Sequence, residues 1–596
     1  MYKGYPARKP RVVTDLRSLI FDSADLFGDK DYLRFKHNNN LESVSFRRFS
    51  DFVSDLGTSL FDMNLSGKTA VVIGETSPEW IITYLSVIIA GGVIVPLDKD
   101  LSHQEIKNFI TRSGASAVFY SESFSELFDG NDEADNGCDI NCYVKFTPEF
   151  IESELSVNDG IPAQDGQTQD GRIRLEGKHI SFVSLLRRGR YLRSTGHTEF
   201  FDIPQDISKM SAIIFTSGTT GTSKGVMLSQ GNLVCAINDS YQMTNFTISD
   251  VIVSVLPIHH TYEMTCGILT PIVYGLTVCI NDSLKYILKN FQFYKPTGLV
   301  LVPLFVSTIY KRIWDNAVKS GRDKKLKTAL TISELSRKVG IDIRKPLFKD
   351  IIAAFGGRLE KIICGGAALA PELVQQFAAF GIVVSQGYGI TECAPLISVC
   401  PYHFTKFGSV GLPVPGIEVM IDKEDPNASY GEIVVRGGNI MLGYYGDAEA
   451  TAAAIEDGWF RTGDYGYLDE DGYLYITGRK KNVIVLNNGK NVFPEEIESY
   501  LEKVQLIAEN VIIGKANESG ETYGITALIF PDFTYAASIG LTDIVDISEA
   551  IKDQIAKLNK SLPSFKQIRG IEIRKTEFDK TTSHKIKRHT VKAENQ

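Results

Sequence analysis

Ser211-Ala212-Ile213-Ile214-Phe215-Thr216-Ser217-Gly218-Thr219-Thr220-Gly221-Thr222-Ser223-Lys224-Gly225 is the stretch on which the reading of this chain turns. Its first five residues are a short apolar run that predicts a strand. The ten that follow crowd hydroxyls and glycines into one loop and end on a single lysine. Glycines at 218, 221 and 225 let the main chain approach a ligand closely. Hydroxyls, free amide N–H groups and the Lys224 ammonium then make a surface that suits a polyphosphate. The loop leaves a strand end, where α/β proteins place ligands. It is not a Walker A loop, because Ser223 precedes Lys224 and Gly225 follows it, whereas that motif has Gly before the lysine and Ser or Thr after it.

At 596 residues the chain exceeds one core of ordinary size, so two or more domains are expected. It is 43% hydrophobic and 23% charged, the usual balance of a globular protein. A net charge of −9 excludes general nucleic-acid binding, which needs a basic face. The eight cysteines are scattered, and Cys138 and Cys142 have no second pair to complete a zinc site, so a reduced, cytoplasmic setting is expected. The first ten residues lack the apolar core of a signal peptide. Trp80 to Pro96, the most apolar stretch, is short and interrupted by Gly91-Gly92; it predicts a buried helix (80–90), a turn and a strand (93–95), with no transmembrane segment.

Strands, glycine turns and helices alternate from about residue 65 to 400, which predicts a mostly parallel α/β fold. The acidic, turn-rich residues 126–175 predict surface loops. After 405, short strands with tight turns are expected at 431–436, 471–475 and 482–486, and a mixed helix–strand segment fills 490–596. Residues 305–355 have helical periodicity and a basic side bearing Lys311, Arg312, Arg322, Lys324, Lys325 and Lys327. That side reads as a solvated face, with contact to an anionic membrane surface as the alternative.

Four further segments carry chemistry. Cys364-Gly365-Gly366-Ala367-Ala368 follows a predicted strand (361–364) and precedes a helix opened by Pro371; its small residues leave room for a flat group beside the backbone. Gln386-Gly387-Tyr388-Gly389-Ile390-Thr391-Glu392 offers a ring, a hydroxyl and a carboxylate after a predicted strand (382–385). Arg461-Thr462-Gly463-Asp464 and Gly478-Arg479 supply an acid and a base.

In this order the motifs resemble the adenylate-forming superfamily over about Val13 to Arg588. The run Leu256-Pro257-Ile258-His259-His260-Thr261-Tyr262-Glu263 is similar to that of bacterial long-chain fatty acid–CoA ligases. The resemblance implies an α/β fold: a large N-terminal domain (1–479) of stacked α/β subdomains plus a β-rich subdomain, and a small mobile α+β C-terminal domain (480–596), hinged near Lys481. It implies that a fatty acid carboxylate attacks the α-phosphate of ATP, and that a thiol, normally that of coenzyme A, takes the acyl group from acyl-AMP. The first nucleophile is already an anion, so positioning and charge stabilisation carry the reaction.

Carried over residue by residue, Thr216, Ser217, Gly218, Thr219, Thr220, Gly221 and Lys224 surround the β- and γ-phosphates. Glu392 holds Mg²⁺ with help from Thr216. Gly366, Ala367 and Tyr388 line the adenine slot, Thr391 meets the α-phosphate, and Asp464 and Arg479 take the ribose. His260 stands near the acyl carboxylate. Lys585 is the adenylation lysine by spacing, with Lys580 and Lys587 as rivals, since Asp579 and His584 replace the proline and glycine usual in that motif. A free-standing acyl carrier protein as acceptor, a homodimer, and a degenerate protein that binds nucleotide and lipid without catalysis stay open on these grounds. Amino-acid adenylation is disfavoured, because no aspartate for a substrate amine stands in the 259–262 run.

Overall fold

The computed structural model describes residues 9, 11–38, 40–129, 140–147, 178–216, 223–517, 520–580 and 586–591. The chain divides into two compact units. The first is built from 1–218, 223–418 and 436–458, and the second from 219–222, 419–435 and 459–596.

Two twisted sheets organise the first unit. One has eight strands, in the order Gly443–Tyr444, Lys224–Ser229, Met210–Thr216, Val93–Leu97, Thr69–Ile73, Ala117–Tyr120, Cys142–Lys145 and His179–Ser181. From Met210–Thr216 onward neighbouring strands are parallel, and the two strands at the other edge join antiparallel. The other sheet has nine strands; its centre runs Val383–Tyr388, Lys361–Cys364, Gly298–Leu301, Val251–Ser254 and Thr277–Ile280, all parallel. Strands such as Val93–Leu97 and Val251–Ser254 are buried at every position, as continuous apolar runs in parallel sheets should be.

The helix expected at 80–90 is Pro78–Ile89, started two residues earlier by Ser77, whose side chain accepts from Trp80 N, and by Pro78 in the first turn. Residues 305–355 fold as helices Pro303–Lys319, Asp323–Lys338, Arg344–Leu347 and Lys349–Ala354.

Three expectations need correction. The segment 126–175 is not only surface loop: Cys142–Lys145 is a buried strand paired with Ala117–Tyr120, and its acidic flanks hid it. The strand expected at 471–475 is Leu474–Arg479. Asp469 ends the preceding one by accepting from the N–H groups of Asp471 (3.0 Å) and Tyr473 (2.9 Å), which closes a turn. Of 482–486 only Ile484–Val485 is strand, because Lys480–Asn482 forms a single 3₁₀ turn.

In the second unit Trp459–Leu468 pairs with Leu474–Arg479 and with Gly431–Gly437. A three-stranded sheet follows: Ile507–Ala516 and Thr522–Pro531 antiparallel, then Ile568–Ile573 parallel to the second. Pro494–Leu501 and Ile544–Asn559 supply Ile497, Leu501, Ile547, Ile551 and Ile555 to its core. No described helix is long and apolar enough to cross a membrane.

Candidate active site

The site in the first unit is assembled from the carboxyl ends of parallel strands in both sheets. Met210–Thr216 ends at Thr216, Val93–Leu97 is followed by Asp98, and Val251–Ser254 leads into the 255–263 run. Lys361–Cys364 opens into Gly365-Gly366, and Val383–Tyr388 into the Thr391–Glu392 turn. Strand ends of this kind are where an open α/β sheet can hold a ligand.

Thr216 and Lys224 face each other across a hairpin, and Thr216 Oγ1 donates to Lys224 O at 3.4 Å. Ser217, Gly218, Thr219, Thr220 and Gly221 lie outside the described residues. Arg112 holds one shoulder of the hairpin: its Nη2 donates to Ser223 O at 3.1 Å, and its guanidinium sits 5.1 Å from the Phe215 ring centroid.

Lys224 and Glu392 come together through a residue that sequence reasoning missed. Tyr444 lies on the edge strand Gly443–Tyr444, paired with Val226. Its ring stands 4.5 Å from Lys224 Nζ, within cation–π range. Its hydroxyl donates to Glu392 Oε1 at 2.9 Å. Burial and the Glu392 carboxylate both push the Tyr444 phenol up, so it remains a donor at any physiological pH. Two backbone bonds lock the arrangement, from Met441 N to Glu392 O (2.8 Å) and from Tyr445 N to Gly225 O (2.7 Å). Asn232 Nδ2 donates to Gly438 O and Ile440 O, both at 2.8 Å, and so positions the segment that delivers Tyr444.

Glu392 and Thr216 present oxygen, the donor that a small hard cation takes, and such a cation needs few protein ligands when phosphate supplies others. Those two residues therefore fit Mg²⁺. Among the described residues no cluster of three or more His, Cys, Asp or Glu could hold a metal.

Gly366 takes φ +85°, a conformation open to glycine, beside the buried Cys364. Tyr388 is buried at 8% exposure. Gly389 has no room for a side chain, because a Cβ there would meet Pro395 O at 1.6 Å.

His260 sits against His259, ring centroids 4.1 Å apart. His259 Nε2 lies 3.6 Å from Asp98 Oδ2, a partner on the other sheet that the sequence did not reveal. Burial, and next the neighbouring His260, push His259 down to about 3, so it is a neutral imidazole. Tyr262 donates to Leu301 O and Ile363 O. Glu263 is fully buried and accepts from Ser254 Oγ. Burial pushes it up to about 8, which keeps it protonated at neutral pH.

In the second unit Asp464 and Arg479 are direct cross-strand partners, and Arg479 Nε donates to Asp464 Oδ1 at 2.8 Å. Asp464 is buried, while the Arg479 side chain is 44% exposed. Lys585 lies outside the described residues, as do 581–584, but the chain on either side of that stretch is described. Lys580 bridges Ile586, and Lys587 N donates to Asp579 O at 2.7 Å. Lys580 is itself ion-paired with Glu509 and with Glu577, and Arg588 with the buried Glu498.

A hydroxyl-and-lysine hairpin facing a tyrosine-oriented carboxylate, at the joint carboxyl edge of two α/β sheets, defines a nucleotide-activating enzyme of the adenylate-forming kind. The comparisons agree. The AMP-binding enzyme family matches residues 20–445, and the AMP-binding enzyme C-terminal domain matches 481–595. The chain belongs to the AMP-binding enzyme family. It is 28% identical to the long-chain-fatty-acid–CoA ligase FadD15 of Mycobacterium bovis, over 88% of this chain and 86% of that protein. It is 31% identical to the peroxisomal long chain acyl-CoA synthetase 6 of Arabidopsis thaliana, over 80% of this chain and 67% of that one. Among solved structures it shares the fold of ATP-bound MatB from Rhodopseudomonas palustris, with a TM-score of 0.70, 24% identity, and 96% and 97% of the two chains covered.

Proposed function

We propose that this chain is an AMP-forming acid–thiol ligase that activates a long-chain fatty acid with ATP and passes it to coenzyme A. In the first step a carboxylate oxygen bonds to the α-phosphorus and the bond to the β-phosphate oxygen breaks, releasing pyrophosphate. In the second the coenzyme A thiolate attacks the acyl carbonyl and AMP leaves. The observation that carries the reading is the Lys224–Tyr444–Glu392 constellation, a cation and a carboxylate oriented by one side chain, in a member of this family.

The hairpin from Thr216 to Lys224 binds the β- and γ-phosphates, and Lys224 offsets their charge. Glu392 and Thr216 would hold Mg²⁺, which would supply screening of phosphate charge. Thr391 donates to the α-phosphate. Gly366, Ala367 and Tyr388 form the adenine slot. Asp464 accepts from the ribose hydroxyls, oriented by Arg479. His260 lies beside the acyl carboxylate, with the neutral His259 behind it adding no charge that would hold the nucleophile in an unreactive pose. Lys585 bridges α-phosphate and carboxylate. Lys580 is the weaker rival, since two carboxylates already occupy its ammonium. The domains are 1–479 and 480–596 with a hinge near Lys481, and the small one rotates between the half-reactions. The enzyme works in the cytoplasm, at the membrane face where its substrate partitions.

The test is purified protein with ATP, Mg²⁺ and fatty acids from C4 to C20, with and without coenzyme A, reading AMP and acyl-CoA by mass spectrometry. Acyl-CoA peaking at long chains is expected. AMP or acyl-AMP without acyl-CoA would transfer the acceptor role to a carrier protein, and no turnover with any acid would overturn the reading.

A further inference from the structure

The helix Asp323–Lys338 packs one face against the core, and among the described residues the other face has no partner. Leu326, Ala329 and Leu330 rest on the core beneath the nine-stranded sheet. Ser333 Oγ donates to Ala379 O at 2.9 Å, which fixes the helix's rotation. With that rotation set, Ile332, Leu335 and Val339, the last being the residue that caps the helix's C-terminus, form an outward ridge three and four residues apart, 46%, 65% and 71% exposed. Three large apolar side chains in a row on solvent are an unusual use of surface.

The ridge has basic ends. Lys324, Lys325 and Lys327 lie at its start, and Arg337 and Lys338 at its finish, all exposed. Among the described residues no ion pair engages Lys324, Lys325 or Lys327. Residues 303–358 hold thirteen Lys and Arg against five Asp and Glu, on a chain whose overall charge is −9. One helical layer thus carries a local surplus of eight positive charges, set against an acidic remainder. An apolar ridge whose flanking lysines can extend past it into a charged headgroup layer is the pattern of a helix lying in a bilayer interface. Charge complementarity selects anionic lipid as its occupant.

We infer that the outer face of Asp323–Lys338 docks this enzyme on anionic membranes, with Ile332, Leu335 and Val339 entering the interface and Lys324, Lys325 and Lys327 meeting lipid phosphate. The inference rests on the fatty-acid reading only for its purpose, which is to take substrate from the bilayer and release product beside it. The docking itself needs no catalysis.

The test is sedimentation of the full chain, without ATP, on phosphatidylcholine vesicles and on phosphatidylcholine–phosphatidylglycerol vesicles. Binding is expected on the anionic vesicles alone, weakening at least ~10-fold between about 0.1 and 0.5 M NaCl as the headgroup field is screened. K324E/K325E/K327E should lose binding by at least ~10-fold and L335S/V339S by several-fold. Both should keep the wild-type melting temperature within a few degrees and wild-type turnover of a short, water-soluble acid. Equal sedimentation of wild type and the lysine variant would overturn the inference, as would no sedimentation on anionic vesicles. A concentration-dependent dimer abolished by the lysine variant would also overturn it, assigning the face to a second copy of the chain. Vesicle binding by a protein inactive on every fatty acid would uphold the docking surface while overturning the proposed activity.

Discussion

The Tyr444 hydroxyl donates to Glu392 Oε1 at 2.9 Å while the same ring lies 4.5 Å from Lys224 Nζ, so one side chain orients both charges of the site. Tyr444 belongs to the eight-stranded sheet and Glu392 follows a strand of the nine-stranded one. A second link of the same kind joins Asp98 to His259. The two sheets therefore meet through side chains that also belong to the candidate site.

Tyr444→Phe keeps the ring over Lys224 and removes only the hydroxyl. A hydrogen bond to a charged group contributes roughly 1.5–3 kcal/mol, and partial solvent access places this one at the lower end. The half-saturating Mg²⁺ concentration should rise roughly 10-fold, with a smaller change in KM for the fatty acid. Tyr444→Ala should raise KM for ATP as well, since the cation–π contact goes too. Titration of acyl-AMP formation against Mg²⁺ checks both, and an unchanged Mg²⁺ dependence in Tyr444→Phe would remove Tyr444 from the site.

Lys585→Ala should slow acyl-AMP formation by at least ~10²-fold, the scale on which a transition-state charge contact is lost, and spare thioester formation from supplied acyl-AMP. Lys580→Ala should do the reverse of a catalytic variant. Adenylation stays within a few-fold, while the melting temperature falls by a few degrees, because Glu509, whose side chain is 13% exposed, loses its cation. Single-turnover rates and thermal melts separate the two lysines.

Glu263 and His259 give stability opposite dependences on pH. Glu263 rises in the folded state from an ordinary 4.5 to about 8, so its contribution is whole below about 4.5 and drains away as pH climbs toward 8. His259 falls from 6.5 to about 3. The folded state thus binds fewer protons than the unfolded one between those values, and stability is lost as pH drops through that window. Each contributes at most ~1.4 kcal/mol per pH unit. Glu263→Gln should remove the fall in melting temperature that Glu263 adds between about pH 4.5 and 8, and His259→Asn the fall on acidification that His259 adds between about pH 6.5 and 3. A profile of either variant parallel to wild type would refute the corresponding shift.

Gly389→Ala should prevent the 388–392 turn from forming, because the new Cβ meets Pro395 O at 1.6 Å. Backbone would have to move, and the expected result is loss of soluble protein or of all adenylation. Gly366→Ala meets its nearest neighbour, Val302 Cγ1, at 3.5 Å, and its obstacle is the φ of +85° alone. It should fold with a penalty of about 1 kcal/mol. Circular dichroism melts of the two variants check the contrast.

Much of this site was legible because its residues cluster within loops of ten residues or fewer. The hairpin of Thr216 and Lys224, the small residues after Cys364 and the acid of Glu392 announce themselves by local composition. Asp464 and Arg479 are fifteen residues apart, yet strand pairing sets them face to face. Tyr444 and Asp98 gave no such signal. Tyr444 meets a lysine 220 positions earlier, and Asp98 a histidine 161 positions later, so only the topology brings either pair together. The strand Cys142–Lys145 was hidden for another reason: four residues are too few to show a period against acidic flanks.

The edge strand Gly443–Tyr444 also sets a schedule for synthesis. The first unit is threaded, because its last segment, 436–458, follows the 419–435 excursion into the second. A nascent chain released at residue 435 would already carry Lys224 and Glu392 with no ring and no phenol between them. Vectorial growth from the ribosome therefore withholds the site's organising contact until Tyr444 itself has been made, and no contiguous fragment that stops short of Tyr444 can reproduce it.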